Sequence, residues 1–275
     1  MQSYPQKNAQ QPQDFGSKPI ARVNIVGLWT LLRREIKRFM HVFMQTIVAP
    51  VMTTLMFLSV FALALGSDRP DNLGVHFTVF LAPGLLMMTM LQNAFANASS
   101  SLLQAKMMGG IVDLLMPPIG PGELLVAFIS GAIIRALFIG LLGIIIIIPF
   151  QALPVSAVWA IVLFAILGSS MMGFLGVLGG LWAEKFDHLA SVTNFLITPL
   201  TFLSGTFYLL ERLPDWLEGF ARLNPFFYLI DGFRYGFLGQ SDGDIFVGVI
   251  ILFGCNAALG CLSFVLLRRG WRIKH

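Results

Sequence analysis

Charge is scarce in this sequence. Asp, Glu, Lys and Arg together supply 12% of 275 residues while 56% are apolar, whereas an ordinary soluble domain carries about 25% charge and about 45 to 50% apolar residues. So little charge cannot solvate a globule of this size, which excludes a soluble fold. Cysteine is confined to Cys255 and Cys261. They lie six positions apart in the last apolar run, where a helix turns them well away from each other, which argues against a bridge between them. His41, His76, His188 and His275 are scattered, so no His and Cys set has metal-ligand spacing. There is no G-x-x-x-x-G-K-[ST] loop to cradle a nucleotide and no G-x-S-x-G elbow to present a nucleophile. The chain is therefore expected to bind no cofactor itself and not to be an enzyme.

What the sequence does have is long apolar runs. Six are long enough to cross a hydrocarbon core, which takes about 20 residues: about 44–66, 77–98, 124–148, 156–181, 190–210 and 245–267. The expected fold is an all-α membrane protein of six transmembrane helices. Pro50 and Pro199 fall inside spans one and five, where a membrane helix kinks and neighbours re-satisfy the freed carbonyls. Residues 1–23, rich in Gln and Pro, lack the apolar stretch of a signal peptide and read as a disordered tail. No span holds the several acidic residues of a proton relay.

Direction follows from the basic residues, because translocating them is disfavoured. Lys7, Lys18, Arg22, Arg33, Arg34, Lys37 and Arg38 precede span one, Arg268, Arg269, Arg272 and Lys274 follow span six, and Lys106 and Lys185 sit in the two inner loops. Arg69, Arg212, Arg222 and Arg234 lie on the other side. The bias places both termini in the cytoplasm. The net charge of +4 is thereby accounted for by topology, and no nucleic-acid partner is expected. Just before span one, NIVGLWTLLRREIKRFM places Ile25, Leu28, Trp29, Leu32, Ile36 and Phe39 at helical spacing. Arg33, Arg34, Lys37 and Arg38 occupy the other side. Such a helix lies in the inner interface; the plainer reading is a positive anchor for span one.

Two connections are unusual. Between spans two and three, Gly109 and Gly110 break a helix, Ile111 to Met116 form barely two turns, and Pro117 and Pro118 stop them. Ile111, Leu114 and Leu115 share a face that needs something to dock against, either a partner or the chain's own bundle. Between spans five and six, Glu211 to Asp244 interleaves aromatics with Glu211, Asp215, Glu218 and Asp231. That pattern suits short amphipathic helices, broken at Asn224 and Pro225, at the outer interface or re-entering the membrane. A seventh, imperfect span is the other reading. Within span four, Gly176 to Gly180 is a G-x-x-x-G, which serves packing either inside the chain or between subunits. Arg135 lies near the middle of span three, where a guanidinium either lines a pathway or bonds backbone carbonyls.

Together these residues resemble the ABC-2 type permease family, the membrane subunits of a class of ATP-driven exporters, and most of all its bacterial inner-membrane branch. The resemblance extends from Asn24 to Arg272 and is most specific from Phe202 to Gly239. There the family's pattern falls on Gly205, Phe207, Leu213, Pro214, Trp216, Leu223, Asn224, Pro225, Arg234, Leu238 and Gly239. It implies one transmembrane domain over 24–272, with an interface helix carrying Trp29, Arg33, Arg34, Lys37 and Arg38. It also implies a cytoplasmic coupling helix over Ile111, Asp113, Leu114, Leu115 and Met116, and short re-entrant helices around Asn224, Pro225, Asp231 and Arg234. A single Asp113 stands where family segments often have an acidic pair. The implied function is the permease of an exporter in the bacterial inner membrane, a half-transporter. It pairs with a second permease copy or a similar chain, and with separate ATPase subunits that bind ATP and Mg. The rival classes are an ion-coupled secondary transporter, which calls for acidic residues in the spans, and a nontransporting membrane scaffold.

Overall fold

The computed structural model describes residues 24–65, 74–109, 119–210 and 214–272. Those residues fold into helices, with no strand among them. Helix α1 runs over Ile25–His41 and α2 over Ala49–Leu65, preceded by a π-turn at Met44–Val48. Then come α3 (Phe77–Met107), α4 (Pro121–Ile147) and α5 (Val158–Trp182). A broken helix follows, made of α6 (Phe186–Val192), a second π-turn at Thr193–Ile197 and α7 (Thr198–Phe202). The chain ends with α8 (Asp215–Leu223), α9 (Pro225–Leu238) and α10 (Ile245–Arg268).

Among the described residues five helices are long and apolar enough to cross a membrane: Met44–Ala64, Phe77–Met107, Pro121–Ile147, Val158–Trp182 and Ile245–Arg268. The expected fifth span, 190–210, is shorter and earlier. Its helix runs from Phe186 to Phe202 and then unwinds through Leu203 to Tyr208. Its 17 residues cover about 25 Å, less than the roughly 30 Å of a hydrocarbon core. Each expected kink carries its π-turn immediately before the proline, Pro50 and Pro199. Proline has no N–H to give the fourth residue back, and the wider turn accommodates the loss.

Helix α3 is the axis of the bundle. Its most apolar stretch is 78% buried, against 22% for Met44–Ala64 and 11% for α10, so the latter two present most of their surface outward. In lipid no water drives helices together, and close approach of backbones does the work instead. A Cβ on Gly176 would stand 2.7 Å from the Phe95 carbonyl oxygen and one on Gly180 2.9 Å from that of Ser99, while Gly173 rests on Ile129. The small-residue face of α5 therefore packs on α3 and α4 within the chain. Helix α3 also runs past its expected end at 98 to Met107. That extension is polar on one side, and side chains of α1, which packs on α4, reach it.

Candidate functional site

Along α3 a row of polar side chains recurs every three or four residues: Thr89, Gln92 and Asn93, Asn97, Ser100 and Ser101, Gln104. One helix face is thus polar through a span whose other faces are buried among apolar groups. The row meets polar groups from α2, α4 and α1 in turn. Thr89 and Thr54 hydroxyls are 2.6 Å apart, and Thr54 also bonds the Pro50 carbonyl at 3.0 Å. Beside them a small cavity is lined by Thr53, Phe57, Gln92, Phe202 and Phe207, where α2 and the end of α7 flank α3.

Arg135 sits at the middle of this row and is 8% exposed. It donates to Asn93 Oδ1 at 2.7 Å and to the Thr46 carbonyl at 3.4 Å. Thr46 lies in the π-turn just before Pro50, where the missing proline N–H leaves the backbone carbonyls one donor short. Pro50 and Arg135, far apart in the chain, are two halves of one arrangement. The guanidinium still lacks a carboxylate: no ion pair reaches it among the described residues, and its Nε has no partner there. A buried cation held by one amide and one carbonyl is an expensive group to keep.

At the C-terminal half of α3 the row is met by side chains from α1. The sequence pattern puts Arg33, Arg34, Lys37 and Arg38 together on a solvated side, and this needs correction. The buried side of α1 is Leu31, Glu35 and Phe39, which centres on Glu35 and lies about 70° round from the axis of the expected apolar face. Glu35 is 1% exposed; it accepts from Ser101 at 2.7 Å and from Arg34 and Arg38 at 3.2–3.3 Å. Arg38 turns inward too, donating to the Asn97 carbonyl at 2.8 Å, to Asn97 Oδ1 at 3.0 Å and to Ser100 at 3.2 Å. Arg33 and Lys37 remain exposed, as does Trp29. Glu35, the sole acid among five basic residues in RREIKRFMH, was the available signal.

The start of α1 is latched to the start of α4. Glu123 accepts from the Gly120 N–H at 2.7 Å and from the Asn24 N–H, while a Cβ on Gly27 would meet Ile119 at 3.0 Å. Ile111, Asp113, Leu114, Leu115 and Met116 lie outside the described residues. Their flanks are Gly109, at φ +70°, on one side and this Glu123 latch on the other.

The third polar cluster is at the opposite end. Asn224 caps α9, accepting from Phe226 N–H at 3.1 Å and donating to the Leu200 carbonyl and Ser204 hydroxyl, both at 3.0 Å. Pro225 occupies the first turn of α9, where its missing N–H costs nothing. Asp231 accepts from the Asp242 and Gly243 N–H groups at 3.0 and 2.9 Å. Arg234, 1% exposed, donates to the Gly205 carbonyl at 2.7 Å and lies over the Phe80 ring at 3.8 Å. Gly205 takes a positive φ of 72°, which turns that carbonyl toward α9 without a Cβ penalty. Residues from separate parts of the expected Phe202 to Gly239 pattern thus meet in one knot. Helices α8 and α9 take the place of a seventh span.

The chain matches the family described as ABC-2 type transporter over residues 26–238. It is 36% identical over 249 residues to the inner membrane transport permease YadH of Escherichia coli K12, covering 90% of this chain and 97% of that protein. It is 25% identical over 200 residues to nodulation protein J of Rhizobium leguminosarum bv. viciae, covering 71% and 76%. To the probable multidrug ABC transporter permease YbhR of E. coli K12 it is 23% identical over 201 residues, covering 72% and 54%.

Proposed function

Because the chain belongs to the ABC-2 type transporter family, we propose that it is the permease half of an ATP-driven exporter, in which the polar face of α3 lines the substrate path and separate subunits hydrolyse ATP. The observation that carries this reading is the row from Thr89 to Gln104 with Arg135 at its centre. A scaffold gains nothing from keeping an incompletely paired cation in a span, whereas a path that must pass polar cargo does. The flanking helices, α2 and the helix from Phe186 to Phe202, are also the interrupted ones. That suits a surface completed by a second copy of the permease.

In this reading the fifth segment spans a locally thinned bilayer, which makes six crossings. Both termini and residues 106–117 then face the cytoplasm of a bacterial inner membrane, as the basic residues favour. ATP and Mg are held by the partner. The nucleotide state reaches the path through docked elements, since a distant ligand biases a bundle only where it contacts its two arrangements differently. Ile111 to Met116 are such an element, and the Glu123 latch passes their movement to α1.

Reconstitution with the cognate ATPase tests this. Wild type is expected to co-purify with the ATPase and alter its turnover. Arg135→Met should keep the ATPase bound and the fold as stable as wild type or more so, since an apolar residue of similar volume often replaces a buried ion without loss. It should lower substrate-dependent turnover at least about tenfold, about 1.4 kcal/mol of coupling. A permease that leaves ATPase turnover unchanged sinks the exporter reading. A destabilised Arg135→Met with normal coupling returns Arg135 to a purely structural part.

A further inference from the structure

Four basic residues of α1 border a cavity of about 520 Å³ at the C-terminal end of α3: Arg34, Lys37, Arg38 and His41, faced by Ser101 and Gln104. Glu35 does not line it, but its oxygens are taken by three groups that do, Ser101, Arg34 and Arg38. Arg38 in turn is engaged by Asn97 and Ser100. Lys37 and His41 make no hydrogen bond or ion pair among the described residues. Arg34 keeps part of its guanidinium free, with 46% of its side chain exposed. Among the described residues that line it the wall is therefore basic and concave and carries no carboxylate, with amide and hydroxyl groups on the facing side. A phosphate ester, with several strong acceptor oxygens, matches that wall.

Phosphate esters come free or attached to acyl chains, and the surroundings decide between them. Beside its polar wall the cavity is lined by Ala105 and Met108 at the end of α3, where Met108 and its neighbour Met107 are exposed. A soluble anion would use the basic wall and leave this apolar rim bare; a lipid uses both, with its phosphate in the cavity and its chains along the rim. We propose that the cavity binds the phosphate headgroup of an anionic inner-leaflet lipid, with Arg34, Lys37 and His41 on its oxygens and Arg38 held behind them by Glu35. The proposal rests on the orientation given above, with α1 at the inner surface, but not on which cargo is exported.

Full-length protein, purified in detergent, is titrated with phosphatidylglycerol or with zwitterionic phosphatidylethanolamine, and bound lipid is counted by native mass spectrometry. Wild type should hold one phosphatidylglycerol at least about tenfold more tightly than phosphatidylethanolamine. Arg34→Ala with Lys37→Ala should lose roughly tenfold or more of that affinity, from two cations removed beside the phosphate. Arg268→Ala with Arg269→Ala, equal in charge but at the end of α10, should lose little. Lys37→Gln alone, at a side chain with no bond to break, should weaken binding severalfold and guards against misfolding of the double variant. Unchanged affinity in both cavity variants, or equal affinity for the two lipids, overturns the proposal. So does displacement of the lipid by millimolar inorganic phosphate, which would make the cavity a free-anion site. Loss of ATPase co-purification in the double variant with lipid retained would assign the basic wall to an acidic protein partner. Lipid counting needs neither ATPase nor transport, so failure here is separable from failure of the exporter reading.

Discussion

A permease carrying Leu114→Glu together with Leu115→Glu is expected to insert and pair normally but no longer to co-purify with its ATPase. The segment between Gly109 and Ile119 begins where α3 ends and finishes where α4 is latched by Glu123. Each of those ends belongs to a helix of the bundle, Met107 closing α3 and Pro121 opening α4. Burying a Leu contributes about 1.5 to 3 kcal/mol, and two carboxylates in their place add a desolvation cost on top. Docking should therefore weaken by at least tenfold, about 1.4 kcal/mol. The measurement is affinity capture of the ATPase by the tagged permease, with size-exclusion profiles to show that the permease is intact. Full retention of the ATPase with normal coupled turnover would mean that coupling runs elsewhere.

Asp231→Ala should be the most damaging single change at the other end of the bundle. It deletes the acceptor of two backbone N–H groups, at Asp242 and Gly243, and removes the carboxylate one helical turn from the fully buried Arg234. Each buried N–H left without its acceptor costs about 1 to 3 kcal/mol, and the buried guanidinium loses the attraction of a nearby carboxylate although the two form no direct ion pair. The Gly205 carbonyl and the Phe80 ring cannot replace that carboxylate. Asp231→Asn should lose less, since its amide oxygen can still accept one of the two N–H groups. Thermal unfolding in detergent, followed by intrinsic fluorescence, reads both. An Ala variant within about 1 kcal/mol of wild type, the ordinary loss for a point substitution, would show that Arg234 is satisfied without Asp231.

Much of the fold was legible in the apolar runs, because a bilayer demands about 20 residues per crossing regardless of what they pack against. Four runs became helices within a few residues of their expected bounds, the run 77–98 continued to Met107, and helices also formed over Ile25–His41 and after span five. The fifth run was read too long. Leu203 to Leu210 are apolar enough to continue the pattern, but Gly205 at positive φ and the Arg234 bond to its carbonyl hold them in a folded-back loop. Hydropathy records how apolar a residue is, not whether its backbone has a partner outside the helix.

The sequence by itself determined that this chain is a helical membrane protein and that the stretch from Phe202 to Gly239 is built to a family pattern. Those properties depend on local composition and spacing, which solvent and lipid read residue by residue. Tertiary structure decided what the polar residues do. It set Arg135 on a carbonyl of the π-turn before Pro50, turned Glu35 and Arg38 inward while Lys37 stayed out, and aimed the glycines of α5 at α3 rather than at another subunit. Each of those outcomes depends on the rotation of one helix against another. That rotation is set by which backbones can approach and which buried polar groups find partners, quantities that exist only once the helices are packed.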